Sequence, residues 1–380
     1  MNGQVNVNTI IVRFYLLLLP FISLISIVLS GIRIAENNSY VQAFLIVLLS
    51  FDIFIVFSCT SVFKNKWVVL CAFLLFPSLS IGLVNFDLTR RVVTDFLIPF
   101  LFFSKVIVFS KYWSNDVFSD YVKYYSKITL LGSFLLIFFI YYLFSSSGIS
   151  RLAIFPPLEM TMAYYMFSNL WLFPISLILI FLYGKRAQLV SAIIVIVIGG
   201  AFFKGGYKYL FWFGIALLFF LGGVFIIDNP DNLSVRRILY TLESIDFSSL
   251  SSINAVSAGR LDEVMAIIPH LDGLSFIFGN GNGFTYEIVL NSGEIKTASN
   301  SHFSPLGLFS KYGVVFTVFV YFFLFSVICK GAGNAKNNRL DLICFITALF
   351  VLLESFFSYA IFATSINAVV LGFILRGDNE

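Results

Sequence analysis

Four short stretches hold residue types that could act together on one substrate. The first is Ser299-Asn300-Ser301-His302-Phe303-Ser304-Pro305, which sets a histidine just before a long apolar run, with Pro305 suited to the first helical position. An imidazole there can take a proton from a hydroxyl at neutral pH, which makes His302 a candidate general base. The alternative is a solvated or structural histidine. His270, after Pro269, stands in a less defined context. The second stretch, Ser257 to Ile268, has Leu261, Val264 and Ile268 on one helical face, Ser257 as a cap and Pro269 as a stop. Arg260 falls in its first turn, where the positive end of the helix dipole disfavours a cation. Either an anionic ligand or pairing with Asp262 or Glu263 accounts for it.

The third stretch is Phe278-Gly279-Asn280-Gly281-Asn282-Gly283-Phe284. Alternating glycines permit positive φ and let backbone amides face an oxyanion or a sugar, so Gly279, Asn280 and Gly281 are candidate binding positions. A tight hairpin turn is the plainer alternative. No Gly-Lys-Ser/Thr follows, so this is neither a nucleotide-binding P-loop nor a dinucleotide fingerprint. The fourth stretch, Gly184-Lys185-Arg186-Ala187-Gln188-Leu189, opens an apolar run. The Arg186 guanidinium can grip a diphosphate with two hydrogen bonds, or serve as an interfacial anchor.

The elements that must position these residues are membrane helices. Of 380 residues, 59% are hydrophobic and only 12% charged, about half the usual charged fraction, which excludes a soluble globule. A net charge of +4 without a clustered basic face gives no sign of nucleic-acid binding. The four cysteines lie in or beside apolar runs without a CxxC or Cys/His cluster, so neither a disulfide framework nor a zinc site is expected. Residues 14–31 with Arg13 ahead of them read as a retained first span and not as a cleaved signal.

The expected fold is an all-α polytopic membrane protein. Its eleven candidate spans (10 to 12 are compatible) fall at about 10–31, 41–62, 67–85, 92–110, 127–145, 160–183, 188–203, 209–227, 306–329, 340–358 and 361–376. This gives an N-terminal helix bundle over 1–227, a large polar loop over 228–305 and C-terminal helices over 306–380. The loop holds nine acidic and four basic residues and both histidines, and is where chemistry is expected. Lys330, Lys336 and Arg339 place their own loop in the cytoplasm, which puts 228–305 on the outer face, Lys204 and Lys208 inside and Lys185 and Arg186 outside. With eleven spans the N-terminus, and with it Lys111, Lys123 and Lys127, then falls outside. A twelfth crossing or a re-entrant piece around 150–183 removes that conflict. Asp52, Asp95, Lys105 and Glu354, charges inside spans, should face the bundle interior.

In this order, the Lys185-Arg186 motif, Gly259-Arg260, Phe278-Gly279-Asn280-Gly281, and Ser301-His302 followed by Leu306-Gly307-Leu308-Phe309-Ser310-Lys311-Tyr312-Gly313 resemble the bacterial O-antigen polymerase and ligase family. The resemblance covers about residues 184–315 and is one of hydropathy alone over the first 150. It implies a lipid-dependent glycosyltransferase bundle (GT-C-like) in the bacterial inner membrane, a periplasmic large loop and glycans on undecaprenyl diphosphate as substrates. Carried over by position, Arg186 and Arg260 hold the diphosphate and His302 is the base, with Arg151 as a further arginine if residues 147–158 lie outside. Many members have Ser-Arg where this chain has Lys185-Arg186, and His-Asn where it has His302-Phe303, so Asn300 is the candidate to supply that amide.

The expected reaction is attack by a hydroxyl of one lipid-linked repeat on the anomeric carbon of another glycan, with departure of undecaprenyl diphosphate. No cofactor or metal is expected, since the arginines supply the positive charge. Expected partners are the lipid-linked glycan and membrane lipids, with a chain-length regulator and a flippase as further candidates. A polymerase is favoured over a ligase because nine acids against four bases suit approach to a phosphate-rich lipid A core poorly. The other class, a glycolipid flippase, is expected to line a path through the bundle with charges and to keep short loops on both faces.

Overall fold

In the computed structural model the described residues are 9–35, 39–147, 156–183, 185–230, 235–236, 239, 260–289, 295–336, 338–356, 361–362 and 365–376. Arg151 and Ser257 lie outside them. The helices are α1 (Thr9–Ala35), α2 (Ser39–Phe57), α3 (Lys66–Phe86), α4 (Arg90–Tyr112), α5 (Asn115–Ser147), α6 (Glu159–Ser168), α7 (Phe173–Tyr183), α8 (Arg186–Gly200), α9 (Gly206–Asp228), α10 (Arg260–Ile267), α11 (Gly273–Phe278), α12 (Ser304–Asn334), α13 (Arg339–Ser355) and α14 (Ser365–Leu375). Strands β1 (Tyr286–Val289) and β2 (Ile295–Ala298) pair antiparallel, Tyr286 opposite Ala298. Among the described residues, five helices are long and apolar enough to cross a membrane, α3, α4, the stretch Asn115–Tyr142 of α5, α9 and α12, and further apolar helices are shorter. This is the architecture of an all-α membrane protein.

Helix ends sort onto two faces. On the loop face, Asn282 of the large loop meets Ser78 near the end of α3 and Val92 near the start of α4. Opposite, the Trp67 ring at the start of α3 lies 5.4 Å from Phe323 of α12, and Arg376 after α14 pairs with Asp341 of α13 at 2.7 and 3.1 Å. In a bundle without water, association rests on close packing, and glycines at crossings allow it. Gly372 brings α14 so near α4 that a Cβ there would sit 2.5 Å from the Cβ of Phe109. Phe103 centres the aromatic core, 5.1 Å from Phe319 and 4.9 Å from Phe323.

The charges inside spans pair across helices. Lys105 meets Asp52 at 2.6 Å, with Tyr15 donating to the same carboxylate at 2.8 Å, and Lys311 meets Asp95 at 2.9 Å. Each pair lets two costly groups satisfy one another where water is absent.

Two expected spans are broken. The run 160–183 is not one helix: Asn169 ends α6, its side chain accepts from the Trp171 amide at 3.1 Å, and α7 follows. Gln188, at the loop-face end of α8, donates to Glu159 at the start of α6, while Arg339 donates to the Phe167 carbonyl at the end of α6. Lys185, just beyond α7, is back beside Glu354 near the end of α13. So α6 and α7 form a hairpin with both outer ends on the loop face. At about 15 Å each, given 1.5 Å per residue, neither alone matches a hydrocarbon core of about 30 Å. The hairpin returns the chain to the loop face, the outcome that either a twelfth crossing or a re-entrant piece around 150–183 would give. The run 306–329 is likewise divided, because Gly313 (φ 78, ψ 177) breaks α12 after Tyr312. The helix opens at Ser304, so Pro305 is its second residue and not its first.

The break in α12 seats the large loop. A Cβ on Gly313 would lie 2.0 Å from the Ile277 carbonyl oxygen, and one on Gly279 (φ 80) 2.2 Å from that of Lys311. Gly313→Ala is therefore expected to cost about 3 kcal/mol or more, from strain at positive φ plus a backbone collision. Gly222→Ala on α9, where a Cβ meets nothing within 4 Å, is expected to be neutral. Thermal unfolding in detergent compares the two.

Candidate active site

The site gathers where α8, α10 and the segment before α12 meet the end of α13. The β1–β2 hairpin returns the chain so that Ser299 to Phe303 run beside α10. Ser301 Oγ donates to Glu263 Oε2 at 2.9 Å, the His302 amide donates to the same oxygen at 2.8 Å, and His302 Nδ1 lies 2.5 Å from Glu263 Oε1. Glu263 is thus a buried carboxylate holding an exposed ring, at side-chain exposures of 7% and 58%. Burial alone would raise the Glu263 carboxyl, but the His302 ring and amide and the Ser301 hydroxyl outweigh it and hold the group below its ordinary value. A carboxylate on Nδ1 fixes that nitrogen as the N–H and leaves Nε2 as the lone-pair acceptor. Tyr286 is buried beside the pair, and burial, with the Glu263 charge, pushes its phenol up.

Arg186 is the first residue of α8, and Arg260 stands in α10 three residues before Glu263. Burial lowers the Arg260 pKa; Glu263 opposes this and the charge of Arg186 adds to it, so the two arginines act on one another. Two guanidiniums and the N-terminus of α8 concentrate positive potential on the side of the Glu263–His302 pair, an arrangement suited to an anion.

Below the site lies a second polar cluster. Lys185 pairs with Glu354, Gln188 Nε2 donates to Glu159 Oε1 at 3.0 Å and to the Pro156 carbonyl at 3.2 Å, and the Glu159 and Glu354 carboxyls lie within hydrogen-bonding reach. Both glutamates are buried. Phe356, two residues past Glu354, has its ring 6.4 Å from that of Phe303, which ties this cluster to the His302 segment. Lys185→Met should leave two buried carboxyls without their ammonium and cost about 3–5 kcal/mol. The double variant Lys185→Met/Glu354→Gln should recover most of that in thermal unfolding.

The structure brings together His302, Arg260 and Arg186. It gives the glycine stretch and Asn300 other work. The amides of Gly279, Asn280, Gly281, Asn282 and Gly283 donate to Ser275 O, Ser310 O, Lys311 O, Ser78 O and Asp95 Oδ2 at 2.9, 2.9, 3.1, 3.0 and 2.9 Å. All five point into protein, so Gly279, Asn280 and Gly281 form a docking loop and not an amide cradle. Asn300 Oδ1 accepts from Lys311 Nζ at 2.7 Å, which anchors the His302 segment to α12. In α10 the buried side chains are Glu263 and Ile267, Val264 is half-buried against the same core, and Ile268 is exposed, so the inward face keeps Val264 but not Ile268. His270 stacks edge-on with Phe284, ring centroids 5.5 Å apart.

Glu263 was legible only as a partner for Arg260. Its one signal is a carboxylate three residues after an arginine in a short amphipathic helix, and the histidine it holds lies 39 positions away. Among the described residues no group of three His, Cys, Asp or Glu side chains is placed to hold a metal ion. Comparison of the chain with protein-family models, curated proteins and solved structures finds no match in any of the three.

Proposed function

We propose that this chain is an O-antigen polymerase, a membrane glycosyltransferase joining repeat units carried on undecaprenyl diphosphate at the periplasmic face of the inner membrane. The observation that carries the reading is a histidine held through Nδ1 by the buried carboxylate of Glu263, with Arg260 three residues before that carboxylate and within range of the charge of Arg186. The orientation follows from charge: with α6 and α7 as a hairpin, Lys64, Lys66, Lys111, Lys204, Lys208, Lys336, Arg339 and Arg376 fall on the face opposite the large loop. That face is cytoplasmic and the loop face periplasmic.

In the proposed reaction the acceptor hydroxyl gives its proton to His302 Nε2 as its oxygen bonds to the anomeric carbon of the donor. The bond from that carbon to the diphosphate oxygen breaks, and undecaprenyl diphosphate leaves with the bonding pair. Arg186 and Arg260 stabilise the charge gathering on the leaving group, and Glu263 stabilises the imidazolium. Because both reactants are lipid-tethered, orientation in the plane of the membrane lowers the entropic barrier.

The test is the lipopolysaccharide ladder on a gel after deletion of the gene. A polymerase leaves core plus one repeat, since transport and ligation persist. Bare core assigns the chain to ligation or flipping, and an unchanged ladder overturns the reading.

A further inference from the structure

The glycine stretch of the large loop packs along the flank of α3, below the end of that helix. It touches α3 at Ser78 and Gly82, where a Cβ on Gly82 would meet the Asn282 carbonyl oxygen at 2.4 Å. At 1.5 Å per residue these contacts lie about 12 and 6 Å below the end of α3 at Phe86. The flank of α3 stays apolar and exposed past that depth, through Leu83 and Val84. The loop therefore reaches the level at which α3 faces acyl chains.

Two independent features agree with that depth. First, irregular backbone in a bilayer is tolerated only where protein satisfies its polar groups, and all five amides of Gly279 to Gly283 have protein acceptors. Second, the adjoining α11, seated on the α12 break through Ile277 and on Phe309 through the Phe276 ring, exposes Leu274, Phe276, Ile277 and Phe278. The exposed Asp272, which caps the start of α11 in a capping box with Ser275, and the exposed His270 mark the edge at which the patch gives way to polar groups. A contiguous apolar patch of this kind, neutral and continuous with membrane helices, suits lipid and not water.

The geometry points to α11 and the glycine stretch as a re-entrant foot of the large loop, with Leu274, Phe276, Ile277 and Phe278 inserted among the acyl chains of the leaflet on the loop face. The loop is then partly a membrane element and not wholly an extramembrane cap. This holds whatever reaction the site performs.

Nitroxide labels in lipid nanodiscs test it. With the exposed Cys329 changed to Ser and the buried Cys59, Cys71 and Cys344 left in place, single labels go on Leu274→Cys, Ile277→Cys and, as a reference on β2, the exposed Ile295→Cys. Phe278→Cys stands in for either foot variant that fails to fold. The expected result is a ratio of collisions with oxygen to collisions with a water-soluble nickel chelate several-fold higher at 274 and 277 than at 295. Ratios equal to that at 295 overturn the proposal by placing the foot in water. Low collision rates with both agents overturn it by showing protein over the patch.

Discussion

Arg260→Ala is expected to slow glycosyl transfer by about 10²–10³, the usual cost of losing one preorganised donor to developing negative charge. Arg186→Ala should cost a similar amount. Because the two guanidiniums act on one another, the double variant should lose less than the product of the single losses. Arg260→Lys should restore little, since an ammonium keeps the charge but not the planar fork that meets two phosphate oxygens. Stability separates this role from a structural one. Arg260 is half-buried between an opposite charge, Glu263, and a like one, Arg186, so the two effects of its removal oppose each other and thermal unfolding should change far less than activity. The readout is elongation of lipid-linked glycan by purified variants.

The second large effect is expected at Glu263. His302→Ala should cost about 10²–10⁴, the range for loss of a positioned general base, and Glu263→Gln most of that same loss. The reason is a count of donors. The Glu263 carboxylate accepts from the His302 ring on one oxygen and from the His302 amide and Ser301 hydroxyl on the other. A glutamine has one acceptor oxygen and one NH2, so either the ring or the backbone of His302 loses its partner. Since the folded pKa of Glu263 is depressed, its stabilising effect is complete above the unfolded value of about 4.3 and is lost as pH falls through the lower folded value. The wild-type loop should accordingly become protease-sensitive on acidification below about pH 4, and Glu263→Gln should lack that step.

Hydropathy made the long helices legible, because α3, α4, α9 and α12 each carry a near-continuous apolar run. It could not show the α6–α7 hairpin, since Trp171, Leu172 and Phe173 keep the run apolar through the turn that Asn169 makes. Nor could it show the break at Gly313, where the cause is a carbonyl from a distant segment lying where a side chain would stand. His302, Arg260 and Arg186 were legible individually from their positions at the edges of apolar runs. Their association, and Glu263 as the group that aims the histidine, depend on contacts between segments far apart in the chain. The glycine stretch stayed open between two readings for a physical reason: positive φ permits both an amide cradle and a close backbone approach, and the direction in which the amides point separates the two.

The most direct test of the account is reconstitution. Purified protein is placed in proteoliposomes with undecaprenyl-diphosphate-linked repeat units as the only glycan, and both longer lipid-linked products and released undecaprenyl diphosphate are quantified. The account predicts one undecaprenyl diphosphate released per repeat joined with wild-type protein, and near loss of both products with His302→Ala present at equal amount. Failure of wild-type protein to consume the donor, or equal yields from His302→Ala, would contradict it.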